Sequence, residues 1–237
     1  MLDFVKPPVD LPESHTINPY WDKVRLIPGD DFEWNYYHVW APACVALLFN
    51  GDGSLKPPEQ RIDRHKLCSE YTFAIPDPDS LNFVAQWLKP AAIEMGAGTG
   101  YWVWQLSQLG VDSIAYDIDP PDDGYNFYHN RENKQDIKVY HPIMRGTPEM
   151  LANHPDRTLF LCWPPMSDMA VKSLEHYQGK RLVYIGEGDG GCTADDAFFA
   201  KLSQGWVEVA ERRPIQWDGI HDMITVYERQ EGARDAS

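Results

Sequence analysis

The stretch "AAIEMGAGTGYWVWQLSQLG", residues 91–110, decides the fold. A short apolar run is followed by three glycines at alternate positions and then at once by an amphipathic segment. Glycine has no β-carbon, so the backbone can turn sharply there and come close to a ligand. The stretch therefore predicts a buried strand, a tight ligand-binding turn and a helix that ends at Gly110.

Two phosphate-binding motifs compete for this turn, and neither fits. A P-loop requires Lys-Ser/Thr after its last glycine, but Tyr101 and Trp102 follow here. The dinucleotide motif G-x-G-x-x-G requires a glycine at position 101 or 103, and Tyr101 and Val103 stand there. A nicotinamide-dependent dehydrogenase is therefore disfavoured.

Apolar strand-like runs alternate with helix-like runs from about residue 60 onward. The predicted strands are 91–95, 113–118, 137–146, 157–163, 180–188, 206–217 and 221–230. The predicted helices are 61–73, 77–88, 99–110, 147–154, 168–179 and 193–205. For three of these helices we expect an N-cap from Asp77 or Asp79, Thr147 and Thr193, respectively. The alternation predicts a doubly wound α/β fold with a mostly parallel seven-stranded sheet, and the two final strands predict an antiparallel edge strand.

The chain divides by composition into three parts. We expect residues 1–60 to form an N-terminal cover segment, 61–230 the ligand-binding domain and 231–237 a frayed tail. The cover segment contains an aromatic cluster, which consists of Trp34, Tyr36, Tyr37 and Trp40. The first residues lack the apolar core of a secretion signal, and no apolar run is long enough for a membrane span, so we expect a cytoplasmic location.

Charge and cysteine content narrow the function classes. A formal net charge of -15 disfavours phosphate backbones as partners, so we expect a small-molecule substrate and no nucleic acid. The oligomeric state stays open. The cysteines form no C-x-x-C pair, so we expect buried free thiols and no metal site; they are Cys44, Cys68, Cys162 and Cys192.

A second acid gives the glycine turn a more specific meaning. Glu94 opens the pattern E-x-G-x-G-x-G, which continues through Gly96, Gly98 and Gly100, and Asp117 ends the next strand. In these residues the chain, over about 70–229, resembles the class I methyltransferases that use S-adenosylmethionine (SAM). The resemblance implies a Rossmann-like methyltransferase fold, SAM as cofactor and S-adenosylhomocysteine as product.

The resemblance also implies roles for individual residues. The glycine turn with Tyr101 would contact the methionine moiety of SAM, and Asp117 would accept hydrogen bonds from the ribose hydroxyls. Glu94 suits the positive charge of SAM. Arg145 and Gly146 are the best match for the residues that flank adenine, although the usual acid is missing there, and Cys162 would also border the cofactor.

The segment "LFLCWPPMSD", residues 159–168, ends the fourth strand where this family places the methyl acceptor. It resembles the D/N-P-P-Y/F/W box of amino-group methyltransferases with two departures, since Trp163 replaces the Asp or Asn and Met166 replaces the aromatic residue. Methylation of a base amine through that box is therefore disfavoured. Trp163 could instead stack on a flat acceptor or lie beside a cation. We expect Met166, Trp217, Tyr37 and His38 to contact the acceptor as well.

Two residues are candidates for acid–base chemistry at the same edge of the sheet. Glu187 follows the fifth strand, and His221 begins the seventh and has an imidazole suited to proton removal near neutral pH. We expect a SAM-dependent methyltransferase acting on N or O of a small, aromatic or amine-bearing molecule. The alternatives are a methyltransferase for a protein side chain or RNA, and a non-catalytic SAM-binding regulatory protein.

Overall fold

The structure is a computed structural model that describes residues 13–25, 54, 57, 64–129, 137–217 and 219–230. No helix in these ranges combines the length and apolar character needed to cross a lipid bilayer.

A seven-stranded sheet forms the centre of the molecule. The strands are β1 Ala91–Met95, β2 Asp112–Asp117, β3 Met144–Arg145, β4 Thr158–Cys162, β5 Arg181–Gly186, β6 Trp206–Arg212 and β7 Met223–Arg229. Their spatial order is β3-β2-β1-β4-β5-β7-β6. Strands β1 to β5 pair in parallel, whereas β7 is antiparallel to both β5 and β6. The predicted mostly parallel sheet with antiparallel pairing at one edge is confirmed; the reversed strand, β7, lies one position inside the edge strand β6.

Both faces of the sheet are buried, and successive strand residues point to opposite sides and so pack in different clusters. In β4, Phe160 and Cys162 enter one apolar cluster, while Leu159 and Leu161 enter the other. Strands of a parallel sheet covered on both faces show this continuous apolar sequence, which is why no polar face was visible in the pattern.

Helices cover the two faces and largely follow the predicted spans. They are α1 Pro19–Val24, α2 Arg64–Glu70, α3 Pro78–Leu88, α4 Tyr101–Gln108, α5 Met169–His176 and α6 Asp196–Gly205, with 3₁₀ turns at Pro121–Asp123 and Pro148–Asn153. Asp77 caps α3 by accepting a hydrogen bond from the Ser80 amide at 3.0 Å, as one of the two expected alternatives.

Two predicted caps were wrong. Asp195, not Thr193, caps α6 by accepting from the Phe198 amide at 2.9 Å. The Thr193 hydroxyl instead lies 2.7 Å from the Tyr184 hydroxyl, which satisfies it inside the core. Thr147 precedes a 3₁₀ turn rather than an α-helix and makes no side-chain cap bond.

The third strand is much shorter than the predicted 137–146. Only Met144 and Arg145 pair with β2. Upstream, the Tyr140 amide donates to the Thr99 carbonyl at 2.9 Å, so this part of the segment is bonded to the glycine turn and not to the sheet.

The described part of the N-terminal segment packs on helix α4. Asn18 caps α1 by accepting from the Trp21 amide at 3.0 Å, and the Tyr20 amide donates to the Tyr101 hydroxyl at 3.0 Å. The predicted aromatic cluster of residues 34–40, including Tyr37 and His38, lies outside the described residues, as does the tail 231–237. Among the described cysteines Cys68 and Cys162 are buried, but Cys192 is exposed, so the expectation of a buried thiol was wrong there.

Candidate functional site

The glycine turn connects β1 to α4 at the carboxyl end of the sheet. Gly98 has a left-handed φ of 55°, and its amide donates to Asp117 Oδ2 at 2.8 Å. A β-carbon at Gly98 would lie 2.3 Å from His129 Nε2, so a side chain has no room there. Gly100 serves packing rather than a ligand, because a β-carbon there would meet the backbone of His141. Of these two glycines, Gly98 is therefore the one that shapes the site.

Two carboxylates lie beside this turn, and both are buried. Glu94 Oε2 has no hydrogen-bond partner among the described residues. Burial and the nearby charge of Asp117 raise the pKa of Glu94 well above its usual range. Burial also raises the pKa of Asp117, although the Asp119 and Gly98 amides oppose that shift by donating to its carboxylate. An unpaired buried carboxylate is costly, so this arrangement favours a cationic ligand.

The carboxylates border a cavity of about 570 Å³, a size typical of small-molecule sites. It opens at the carboxyl ends of β1, β2 and β4, where doubly wound sheets bind ligands. The predicted site residues that line it are Glu94, Gly96, Gly98, Asp117, Gly146, Cys162, Trp163 and Met166.

Cys162 lies in this cavity as a buried thiol. Burial, together with the charge of Glu94, raises the pKa of Cys162 well above its usual range. It is therefore a neutral apolar neighbour for a ligand and not a nucleophile.

The segment after β2 forms one side of the cavity, and the sequence pattern had marked it only as polar. Asn126 is buried and its Oδ1 accepts from the amides of Tyr128 and His129 at 2.9 and 3.1 Å. His129 Nδ1 lies 3.0 Å from the Ser69 carbonyl oxygen, which can only accept, so Nδ1 carries the proton and Nε2 is an acceptor. Burial lowers the pKa of His129 and keeps the imidazole neutral.

Trp163 is held in a strained conformation at the end of β4. Its φ of 51° is rare for a residue with a side chain and costs on the order of 1–3 kcal/mol. The indole Nε1 donates to both carboxylate oxygens of Asp222 at 2.9 Å. The ring also stacks on Phe73 with a centroid distance of 5.2 Å and an interplanar angle of 22°. The contacts with Asp222 and Phe73 thus hold Trp163 although its backbone conformation is unfavourable for a residue with a side chain.

Four aromatic side chains line the cavity near its mouth, and we call them the cavity aromatic cluster: Phe73, Phe127, Tyr128 and Trp163. Tyr128 lies edge-on to Phe73 at 6.1 Å and to Phe127 at 5.1 Å. Only Trp163 was expected in this place. The aromatic letters of "GYNFYHN", residues 124–130, were the available signal for two of the others.

Two expected ligand residues belong to the protein interior instead. Tyr101 and Trp217 are part of the buried aromatic cluster, which we define as Tyr20, Trp21, Tyr71, Tyr101 and Trp217. The Tyr101 hydroxyl donates to Asn18 Oδ1 at 2.8 Å, and Trp217 Nε1 donates to the Tyr20 hydroxyl at 3.1 Å. Neither residue is among those that line the cavity, and their predicted contacts with cofactor and acceptor stay predictions.

Arg145 also lies outside the cavity lining. Its guanidinium forms ion pairs with Asp119 at 2.9 Å and Asp123 at 3.2 Å on the surface. The neighbouring Gly146 and Thr147 do line the cavity. The adenine contact stays a prediction for both residues, with Gly146 placed at the cavity and Arg145 engaged by surface acids.

The two candidate catalytic residues contact each other rather than the cavity. Glu187 Oε1 accepts from the His221 amide at 2.8 Å, and Oε2 accepts from the Cys192 amide at 2.8 Å. Burial alone would raise the pKa of Glu187, but these hydrogen bonds outweigh it and lower the pKa. The His221 side chain is 78% exposed, and its Nδ1 lies 3.3 Å from Glu187. The contacts between Glu187 and His221 link two loops. They give no support to the acid–base role expected for these residues.

Comparison with known proteins gives only distant likenesses. No protein-family model matches the chain, and no curated protein matches it either. The chain is similar to the structure of magnesium protoporphyrin IX methyltransferase from Synechocystis PCC 6803 with bound SAM. The identity is 14% over 64% of this chain and 79% of that chain, and the TM-score is 0.43.

Two further similar structures come from streptococci. An rRNA methylase from Streptococcus thermophilus is 16% identical over 65% of this chain and 96% of that chain, with a TM-score of 0.40. A putative tRNA (m1A22) methyltransferase from Streptococcus pneumoniae is 16% identical over 63% of this chain and 68% of that chain, with a TM-score of 0.43.

The strand order and the position of the glycine turn define the fold independently of these likenesses. The order is β3-β2-β1-β4-β5-β7-β6 with β7 reversed, and the turn follows β1 at the centre of the sheet. The chain has the Rossmann-like fold of the class I SAM-dependent methyltransferases.

Proposed function

We propose that the protein is a SAM-dependent methyltransferase that acts on N or O of a small, aromatic or amine-bearing molecule. One observation supports this most directly. Glu94 Oε2, a buried carboxylate oxygen with no hydrogen-bond partner in the part of the chain that the structure describes, lies beside Asp117 and the glycine turn in one cavity. SAM has a sulfonium and an ammonium group, and either could supply a positive charge to the Glu94 carboxylate.

The residues that would hold SAM follow from their places in the cavity. Glu94 would face a positive group of the ligand. Asp117 already accepts one amide hydrogen bond on each oxygen, yet a carboxylate has about four acceptor sites, so sites remain for two ribose hydroxyls. Gly146, Cys162 and the exposed Ile118 would border the adenine.

SAM supplies a methyl group on a good leaving group, so the contribution of the protein is mainly alignment. Holding two reactants in attack geometry is worth about 7–11 kcal/mol. Trp163, fixed by Asp222 and Phe73, provides a rigid wall for the acceptor. If the acceptor bears a proton, His129 Nε2 is the imidazole nitrogen in the cavity that can accept it.

Charge and cavity size favour a small acceptor over RNA. The net charge of -15 repels a phosphate backbone, and the cavity of about 570 Å³ matches the range of small-molecule sites.

Calorimetric titration with S-adenosylhomocysteine tests the cofactor site. We expect wild type to bind with a roughly micromolar Kd. Glu94→Gln removes the charge but keeps the size, and should weaken binding about 10- to 100-fold because a charge-assisted hydrogen bond is lost. Gly98→Ala should weaken it at least about 100-fold, since the new methyl group displaces His129 and the turn.

Gly110→Ala is the matched control for Gly98→Ala. Gly110 also has a positive φ, 80°, but nothing lies within 4 Å of a β-carbon built there. Its alanine variant should bind S-adenosylhomocysteine like wild type. Equal binding by Gly98→Ala and Gly110→Ala would refute the cofactor site.

Transfer of a labelled methyl group from SAM identifies the acceptor. We expect label in a small molecule from a metabolite extract, and none in RNA or protein fractions. Label confined to RNA or protein would establish the macromolecular alternative, and binding without any transfer would indicate a regulatory SAM-binding protein.

A further inference from the structure

The cavity mouth is apolar where a methyl acceptor would enter. Phe127 is 49% exposed, Tyr128 46% and Met166 68%, and all three line the cavity. Soluble proteins place exposed apolar groups together mainly where they bind a partner. The mouth is thus suited to an apolar surface of a ligand.

The acids around the mouth are engaged by other side chains of the protein. Asp119 pairs with Arg145 at 2.9 Å, and Asp168 pairs with Lys172 at 2.6 Å. Glu149, the third, accepts a hydrogen bond from the Thr147 hydroxyl, which lowers the pKa of its carboxyl. The groups left to contact an acceptor are therefore mainly aromatic faces and edges, on which a planar ring can stack.

Asp222 lies behind this surface and is not among the described residues that line the cavity. It is 2% exposed, and its two oxygens accept from the Trp163 indole N–H. A buried carboxylate is expensive to retain. Its bond to Trp163 orients an indole whose backbone is in the left-handed region, so that the ring stacks on Phe73.

We infer that the cavity aromatic cluster, with Met166, is the acceptor subsite for a planar aromatic molecule, and that Asp222 is a positioning residue that holds Trp163 in this subsite. The inference rests on the proposed function, because it assumes that the inner part of the cavity holds the adenosyl ligand. Aromatic rings stack on one another with offset or edge-to-face geometry, and a saturated ring of equal size cannot do so. The subsite should therefore distinguish planar from puckered rings.

The test uses the full chain loaded with S-adenosylhomocysteine and three probes in calorimetric titrations. The probes are 2-naphthol, its saturated counterpart decahydro-2-naphthol, and tetramethylammonium. We expect 2-naphthol to bind at least about tenfold more tightly than either of the others, since stacking is lost in both. Trp163→Ala should weaken 2-naphthol at least about tenfold and leave S-adenosylhomocysteine affinity unchanged.

Two variants separate the positioning role of Asp222 from a general role in folding. Asp222→Asn keeps an oxygen that accepts from the indole N–H, and should bind 2-naphthol within about threefold of wild type. Asp222→Leu removes the acceptor and should weaken 2-naphthol about tenfold with unchanged S-adenosylhomocysteine affinity, which also verifies that the variant is folded. If Asp222→Leu does not fold, Trp163→Phe replaces it, because phenylalanine lacks the N–H that bonds to Asp222. The same loss of 2-naphthol affinity is expected for that variant.

Each contrary result has a separate meaning. Equal binding of the two alcohols overturns the planar selectivity, and tightest binding of tetramethylammonium assigns the subsite to a cation instead. Unchanged 2-naphthol affinity in folded Asp222→Leu, or in Trp163→Phe where it replaces that variant, overturns the positioning role. If wild type does not bind S-adenosylhomocysteine at all, the proposed function fails, and the acceptor subsite fails with it.

Discussion

The buried aromatic cluster and the cavity aromatic cluster contain the same kinds of side chain but differ in solvent access and hydrogen bonding. In the buried cluster Tyr20 and Tyr101 are fully buried, and the hydroxyl of each takes part in a hydrogen bond. In the cavity cluster Phe127 and Tyr128 are about half exposed, and Trp163 is fixed from behind by Asp222. The two clusters adjoin at Tyr71, which also lines the cavity. The comparison shows that aromatic residues next to the glycine turn need not face the cavity.

The largest difference should appear in stability. Trp21→Ala removes a fully buried indole from the buried aromatic cluster and should lower the free energy of unfolding by about 3–5 kcal/mol. Phe127→Ala in the cavity aromatic cluster should change it by less than about 0.5 kcal/mol. Urea unfolding measures both, and 2-naphthol titration should show the reverse order of effects. Similar stability losses in the two variants would contradict the division into a packing cluster and a ligand cluster.

An effect of intermediate size is expected in the pH dependence of stability, and it comes from Asp222 behind the cavity aromatic cluster. Burial, and then the charge of Glu187, raises the pKa of Asp222 to about 7, while Arg64 and the bond from Trp163 act in the opposite direction. In the unfolded chain this carboxyl has an ordinary pKa near 3.8. Because the folded pKa is the higher one, the stability from this group is fully present below about pH 4 and is lost as the pH rises to about 7.

Asp222→Asn removes the titration of this carboxyl. The difference between wild type and the variant therefore isolates the contribution of Asp222 from that of other groups. Relative to the variant, wild type should lose on the order of 2–4 kcal/mol of unfolding free energy between pH 4 and pH 7. Urea unfolding of both proteins at several pH values measures the difference. A difference that is flat over this window would show that Asp222 is ionised throughout.

The smallest effect tests hydrogen bonding within the buried aromatic cluster. Tyr101→Phe removes the hydroxyl that accepts from the Tyr20 amide at 3.0 Å. Leaving this buried N–H without an acceptor should cost about 1–3 kcal/mol, with S-adenosylhomocysteine affinity unchanged. Loss of S-adenosylhomocysteine binding in a folded Tyr101→Phe variant would support the cofactor role that the sequence had predicted for Tyr101.

The sequence predicted the fold better than it predicted the site. Strands β1, β2, β4 and β5 were recognised from their apolar runs, β1 with both ends as predicted and the ends of the others within two residues. Strand β3 was overestimated because the Tyr140 segment bonds to the glycine turn, which periodicity does not reveal. The acids and glycines at the ends of β1 and β2 line the cavity as their spacing predicted, apart from Gly100.

Residues further from the glycine turn were harder to place. Glu187 and His221 come from loops whose side chains can point in several directions, and in the fold they point to each other. His129 and Phe73 reach the cavity through contacts with Ser69 and Trp163, which lie far away along the chain. Such contacts depend on how elements pack and leave no local pattern.

The amino-acid sequence by itself determined the doubly wound sheet and the tight turn with its two acids, because strand burial and backbone turning are local properties of residue type and spacing. Only the tertiary structure decided which aromatic side chains face the cavity, and that Asp222 holds Trp163 there. Side-chain direction at the end of a strand is set by contacts between elements distant in sequence, and here a buried hydrogen bond over 59 positions selects a backbone conformation that Trp163 would otherwise avoid.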